Sequence, residues 1–206
     1  MQTQAIRPVS ALAALLLLAG CGTTDQKTAQ QRPIEGTVHL CSSCHGMEGR
    51  SIQPTFPNLA GQQAEYLENQ LLAFRDHSRA DPHAHTYMWG MAAHLDDQTI
   101  HGVAAYYASQ RPAAGEPASP EAARAGAVIF TQGVERREVP ACAGCHGDHA
   151  EGQGPYPRLA GQHASYLTDQ LHHFRTNARA NETMHQNALN LTEEEIAALS
   201  AYLSSL

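Results

Sequence analysis

Cys41-Ser42-Ser43-Cys44-His45 and Cys142-Ala143-Gly144-Cys145-His146 are two copies of one pattern in a chain of 206 residues. Two cysteines three positions apart, followed at once by a histidine, form the attachment signature of a c-type haem. The thiols are spaced to make thioethers with the vinyl groups of the porphyrin. The adjacent imidazole can then reach the iron from one face. A C-x-x-C alone also serves as a redox disulfide or as half of a zinc site. Two copies, each completed by a histidine, point instead to two covalently bound haem c groups.

The repeat extends well past the motifs. Phe56-Pro57-Asn58-Leu59-Ala60-Gly61-Gln62-Gln63-Ala64-Glu65-Tyr66-Leu67 matches Tyr156-Pro157-Arg158-Leu159-Ala160-Gly161-Gln162-His163-Ala164-Ser165-Tyr166-Leu167. Gln70-Leu71, Phe74-Arg75 and Arg79-Ala80 recur as Gln170-Leu171, Phe174-Arg175 and Arg179-Ala180. A domain-sized period indicates tandem domains rather than a solenoid. The expected division is domain 1 over 33–111, a Pro-rich linker over 112–120 and domain 2 over 121–206. Each domain is small for an independent apolar core, and a haem would supply much of its interior.

The periodicity is helical throughout, so the expected class is all-α. Tyr66, Leu67, Gln70, Leu71 and Phe74 share one face, and Tyr166, Leu167, Leu171 and Phe174 repeat it. Asp96 is placed to cap a helix over 97–109, with Ile100, Val103, Ala104 and Tyr107 as its buried stripe. Thr192 and Glu195 predict a capping box for a last helix over 193–204, burying Ile196, Leu199 and Leu203. A helix is expected over 121–130, and only a short one over 33–40.

A haem with one axial histidine leaves the sixth iron position to be filled. Met88 and Met184 each stand seven residues before a matched leucine, Leu95 and Leu191, in what reads as a loop before the last helix of each domain. A methionine is ordinarily a flexible core filler, but paired positions make these two the candidate ligands, opposite His45 and His146. Met91 competes in domain 1 and has no methionine counterpart in domain 2. His77, His83, His85, His94, His172, His173 and His185 offer bis-histidine ligation instead, with His85 and His185 nearest the methionines. An axial histidine needs an acceptor for its other ring N–H. The carbonyls of Pro57 and Pro157 are the candidates, with Leu59 and Leu159 packing beside the haem.

The N-terminus reads as an export signal. Arg7 precedes an apolar run over 11–19, which ends in Gly20-Cys21. Nine residues fall short of the roughly 20 that span a bilayer and suit a secretory segment. Leu18-Ala19-Gly20-Cys21 resembles a bacterial lipobox, which makes 1–20 a signal peptide, Cys21 the lipid attachment and 21–32 a flexible tether. Gly22 in place of Asp favours the outer membrane over the inner. Without Arg7 the 13 basic residues fall to 12 against 20 acidic ones, for a net charge of −8 with histidine neutral. Such a chain is not expected to hold nucleic acid through counterion release.

With these residues assembled, the chain resembles the dihaem cytochrome c4 family and related c553-type class I cytochromes. The resemblance rests on both C-x-x-C-H-G motifs, both Pro-x-Leu-Ala-Gly-Gln stretches with their following helices, and the paired methionines. It implies two class I cytochrome c folds related by a pseudo-twofold axis, with haem edges facing one another. It further implies a periplasmic electron carrier and no residue assigned to acid–base or nucleophilic catalysis. The donor would be a quinol-oxidising complex or a dehydrogenase, and the acceptor a terminal oxidase or reductase. The lipobox leaves room for a membrane-tethered subunit of a dehydrogenase or oxidase complex. Competing readings are a haem peroxidase or reductase with one open iron site, and a sensor that exchanges ligands.

Overall fold

The structure, a computed structural model, describes residues 23–206, with side chains from residue 33 onward. Cys21 and the export signal lie outside the described residues. The first half consists of α1 (Thr23–His45), α2 (Ala64–Arg75), a π-helical turn (Ala84–Met88), α3 (Trp89–Ala92) and α4 (Asp97–Ala108). The second consists of α5 (Pro120–Gln132), α6 (Ala143–His146), α7 (Ala164–Arg175), α8 (Glu182–Leu189) and α9 (Glu193–Ser204). The described residues contain no named strand, only two isolated bridges, Val134 with Val139 and Gln153 with Tyr156. The all-α expectation stands.

Four helices, α4, α5, α8 and α9, start at a side-chain cap. Asp96 accepts from Thr99 N at 2.7 Å, and the Thr192–Glu195 box closes in both directions. Ser119 caps α5, and Pro120 occupies its first turn, where a missing N–H costs nothing. Two segments differ from the sequence reading. Residues 23–32, expected as a flexible tether, are helical, and α1 runs unbroken through the first motif. The run from Thr23 to Arg32 contains no Gly or Pro, and its three Gln with Lys27, Ala29 and Arg32 are good helix formers that outweigh three Thr. Pro33 lies inside α1, at the cost of one backbone hydrogen bond. The methionines, expected in loops, stand on helical backbone. Met88 ends the π-helical turn and Met184 is the third residue of α8. Asn181 caps α8 by accepting from Met184 N at 2.9 Å, so the chain is already helical when it reaches the methionine. Arg79 and Met88 are nine positions apart where Arg179 and Met184 are five, and in the first half the stretch that ends at the methionine is wound into a wider π turn.

Each half has its own core. Leu67, Val103, Ala104 and Tyr107 form one, with Phe74, Ala84 and Ala92 beside it. Phe130, Leu167, Phe174, Ile196, Leu199 and Leu203 anchor the other. The predicted stripes of α4 and α9 are therefore the buried ones. α5 crosses α9 at Gly126, where a Cβ would lie 2.1 Å from the Ala198 carbonyl oxygen. Only glycine permits that approach. The Pro-rich linker is extended and runs along the second half, with Glu116 N donating to Ser204 O at 2.7 Å.

Candidate haem sites

Both motifs end a helix. Cys41, Cys44 and His45 occupy the last turns of α1, and Cys142 leads into α6, which ends at His146. Positions three and four apart share a helix face, so both sulfurs and the imidazole of each motif are presented together. A glycine follows each histidine, with φ of 77° at Gly46 and 84° at Gly147. This left-handed residue stops the helix and turns the chain back beneath the histidine.

The histidines are the most constrained members. His45 and His146 are buried, and their Nδ1 atoms lie 2.9 Å and 3.0 Å from the carbonyl oxygens of Pro57 and Pro157. A carbonyl only accepts, so Nδ1 carries the proton and Nε2 keeps its lone pair for a metal. Burial lowers the pKa of both imidazoles, against a smaller opposing effect of the proline carbonyls. Burial prevails and keeps the ring neutral, the form that ligates. Phe56 and Tyr156 pack edge-on to His45 and His146 at 6.0 Å and 6.4 Å between ring centres. Burial also raises the Cys41 thiol and pushes Cys142 up to about 11.

The two motifs open onto one continuous cavity of about 450 Å³. Leu59, Leu67, Leu71 and Phe74 line it from one half, and Leu159, Leu167, Leu171 and Phe174 from the other. Pro57, Pro157, Met88, Met91 and Met184 also reach it. Met88 packs against the Phe74–Ala84–Ala92 cluster and Met184 against the core of its half, whereas Met91 is 49 % exposed. Among the competing histidines only His83 lines the cavity. His85 packs edge-on to Trp89, His77 stacks on the same ring, and His185 donates to Phe174 O at 2.8 Å. His172 bonds Glu193.

Several cavity residues carried no functional reading in the sequence. Arg79 and Arg179 are buried, and each lies over a phenylalanine of its own half, Phe74 or Phe174. Their guanidiniums cross between the halves. Arg79 donates to Gln70 Oε1 at 2.8 Å and to Gln170 Oε1 at 3.0 Å, while Arg179 donates to Gln170 at 2.6 Å and Gln70 at 2.7 Å. Tyr66 and Tyr166 complete this ring. The available signal was their identity in both copies of the repeat.

The cavity fits haem c on three counts. It is walled by apolar side chains, each half offers two thiols beside an imidazole with a free Nε2, and Gln170 Nε2 is a buried donor without a partner. The orphaned amide and the Arg179 guanidinium match the propionate carboxylates that haem carries.

The comparisons agree. The family model described as Cytochrome c matches residues 38–110 and again 123–206. Cytochrome c-552 of Acidithiobacillus ferridurans is 42% identical over 195 residues, 94% of this chain and 85% of that protein. Cytochrome c4 of Azotobacter vinelandii is 36% identical over 207 residues, 95% of this chain and 98% of its own length. A solved structure of Acidithiobacillus ferrooxidans cytochrome c4 superposes with a TM-score of 0.77 at 44% identity, covering 81% of this chain and 98% of that one. The chain belongs to the cytochrome c family, as a dihaem class I electron carrier with one haem c held covalently in each half.

Proposed function

We propose that this carrier works in the bacterial periplasm, anchored through lipid on Cys21, with each iron held between a histidine and a methionine. Cys41 and Cys44 hold the first haem and Cys142 and Cys145 the second. His45 with Met88, and His146 with Met184, are the axial pairs. The observation that carries this reading is that both methionines line the cavity onto which both motifs open. Haem c supplies a one-electron ferric–ferrous couple whose potential depends on its axial ligands and surroundings.

The protein's own part is positioning and exclusion. The Pro57 and Pro157 carbonyls fix the tautomer and plane of the two imidazoles, as outer partners of ligating histidines do. Apolar walls keep water from the cavity. Because both motifs open onto one cavity, the electron path between them avoids bulk solvent. No described helix is long and apolar enough to cross a membrane, so attachment rests on Cys21, with the outer membrane the favoured site.

A dehydrogenase or quinol-oxidising complex is the proposed donor, and a terminal oxidase or reductase the acceptor. A protein named thiosulfate dehydrogenase electron acceptor, from Stutzerimonas stutzeri, is 33% identical over 207 residues, which supports a dehydrogenase as donor. A carrier that exchanges electrons by brief docking needs only a small, weak interface. An absorption and redox titration of the purified holoprotein tests the ligand set. Two low-spin haems with the far-red band of methionine–Fe(III) bonding are expected, and a high-spin component would remove the assignment at that site. Mass spectrometry of the mature N-terminus tests the anchor: an unmodified or absent Cys21 would eliminate it.

A further inference from the structure

The repeat is not exact along the seam between the halves. Asp81, fully buried, accepts from Arg79 Nε at 2.8 Å, where the matching Asn181 is exposed and caps α8. That exchange stays within each half. A second one crosses between them. Gln63 and His163 occupy the same place, the position before α2 and the position before α7. Gln63 is partly exposed, and its amide donates to Glu151 O of the other half at 3.0 Å. His163 is buried, and both of its ring nitrogens are engaged. Nε2 lies 3.1 Å from Ser51 O in the first half, and Nδ1 lies 2.7 Å from Glu116 Oε1 on the linker.

A carbonyl and an ionised carboxylate only accept, and a neutral imidazole has one N–H to give. In either neutral tautomer one contact sets a lone pair against a lone pair. Only the ring that carries both N–H groups makes both hydrogen bonds. A buried positive charge needs a partner, and the Glu116 carboxylate is one. Other charged groups on the surrounding elements are placed elsewhere. Arg50 pairs with Glu48, Glu151 accepts from His149 N, Arg111 is exposed, and the Leu206 carboxyl lies against Gly115. The ring joins three pieces of chain. Ser51 belongs to the loop after the first motif, where its Oγ donates to Cys44 O at 3.4 Å. Glu116 is itself fixed to the second half through Ser204 O.

We infer that His163 is a proton-operated clamp on the seam. As the imidazolium it fastens both the linker and the loop after the first motif to the second half, and loss of one ring proton frees the loop. A hydrogen bond to a charged acceptor is the stronger kind, so the neutral ring keeps Nδ1–H on Glu116. The bond across the seam to Ser51 is the one lost. The proton passes to water on the side of Glu116, whose side chain is 54 % exposed. Histidine changes charge over roughly pH 5 to 8, so the clamp closes toward the acid end of that range and opens toward the other. Gln63, an amide, holds its carbonyl at every pH. The clamp is independent of which side chain fills the sixth position of either iron.

NMR of the fully reduced, diamagnetic holoprotein tests the clamp. At the acid end of the range the His163 ring should show two N–H signals, and one should vanish as pH rises. Hydrogen exchange at Asn58 N and Arg158 N, both bonded across the seam, reads the seam itself. Corrected for the intrinsic pH dependence of exchange, their protection should fall by about two- to tenfold across the range, the worth of one hydrogen bond. His163→Gln should remove that fall while leaving Asn58 and Arg158 protected. A ring with a single N–H at every pH, or an equal fall in the unsubstituted and His163→Gln proteins, would overturn the inference. If His163→Gln does not fold, Glu116→Gln decides. Its ring should lose the second N–H at lower pH than in the unsubstituted protein, and an unmoved titration overturns the clamp.

Discussion

Gln162 lies across the seam from Asn58 and treats it as a strand would treat its neighbour. Its Oε1 accepts from Asn58 N at 2.8 Å and its Nε2 donates to Asn58 O at 3.0 Å. Gln62 does the same to Arg158, at 2.7 Å and 2.9 Å. The glutamine of each Pro-x-Leu-Ala-Gly-Gln stretch thus satisfies the backbone of the other stretch, giving the two-way reciprocity of a twofold interface. Asn58, Gln62 and Gln162 are all buried.

Gln162→Ala should therefore destabilise the holoprotein by about 2–4 kcal/mol, since it orphans a buried N–H and a buried C=O at roughly 1–3 kcal/mol each, less any water that enters. Urea unfolding followed by far-UV circular dichroism reads the loss. Gln62→Ala should cost a similar amount at Arg158, which the same titration checks.

Met88→Leu should abolish the far-red methionine–iron band of one haem only, and Met184→Leu that of the other. Met91→Leu should leave both bands in place, because Met91 is half exposed and its counterpart position in the second half holds no methionine. A band lost on Met91→Leu and kept on Met88→Leu would exchange the two roles.

The Arg79–Asp81 pair makes stability depend on acid. Burial opposes ionisation of Asp81, but the Arg79 guanidinium outweighs it and holds the carboxyl below the ordinary range. A folded-state pKa below the unfolded one contributes stability that is complete above about pH 4 and fades as pH falls through the depressed value. Urea midpoints measured from pH 6 downward should fall less steeply in Asp81→Asn than in the unsubstituted protein. At neutral pH, Asp81→Ala should cost about 3–5 kcal/mol, because it strands a buried guanidinium.

Gly126→Ala should open the crossing of α5 and α9. The new methyl would meet the Ala198 carbonyl and the Tyr202 Cβ, both tied to helix backbone. Overpacking of this kind costs about 1–3 kcal/mol, and more where backbone must move. Calorimetry of the holoprotein should show the transition of the second half shifted down while that of the first is preserved.

Gly36, on α1, offers a contrast, since nothing lies within 4 Å of the place where its Cβ would sit. Gly36→Ala should stabilise α1 by about 0.5–1 kcal/mol through helix propensity alone. An unchanged melting temperature would mean that this part of α1 contributes little to the cooperative fold.

The sequence by itself determined the haem chemistry, the two-domain organisation and the helical class. Those properties are written locally, in a five-residue motif, in side-chain periodicity and in caps such as Asp96 and Thr192, each spanning a few positions. The repeat supplied candidate partners as well. Pro57 and Pro157 were legible as acceptors because an axial histidine must orient its second ring nitrogen, and the structure puts their carbonyls 2.9 Å and 3.0 Å from His45 and His146. Other features were decided only when the chain closed on itself. The sequence marked Gln62, Gln162, Arg79 and Arg179 as repeated, but it could not say that each would serve the opposite half, because their partners are 90 to 110 positions away. Nor could it show Asp81 buried and Asn181 exposed, since aspartate and asparagine read alike as caps. Tertiary packing made that choice: one position found a buried guanidinium to neutralise, and the other found the start of a helix.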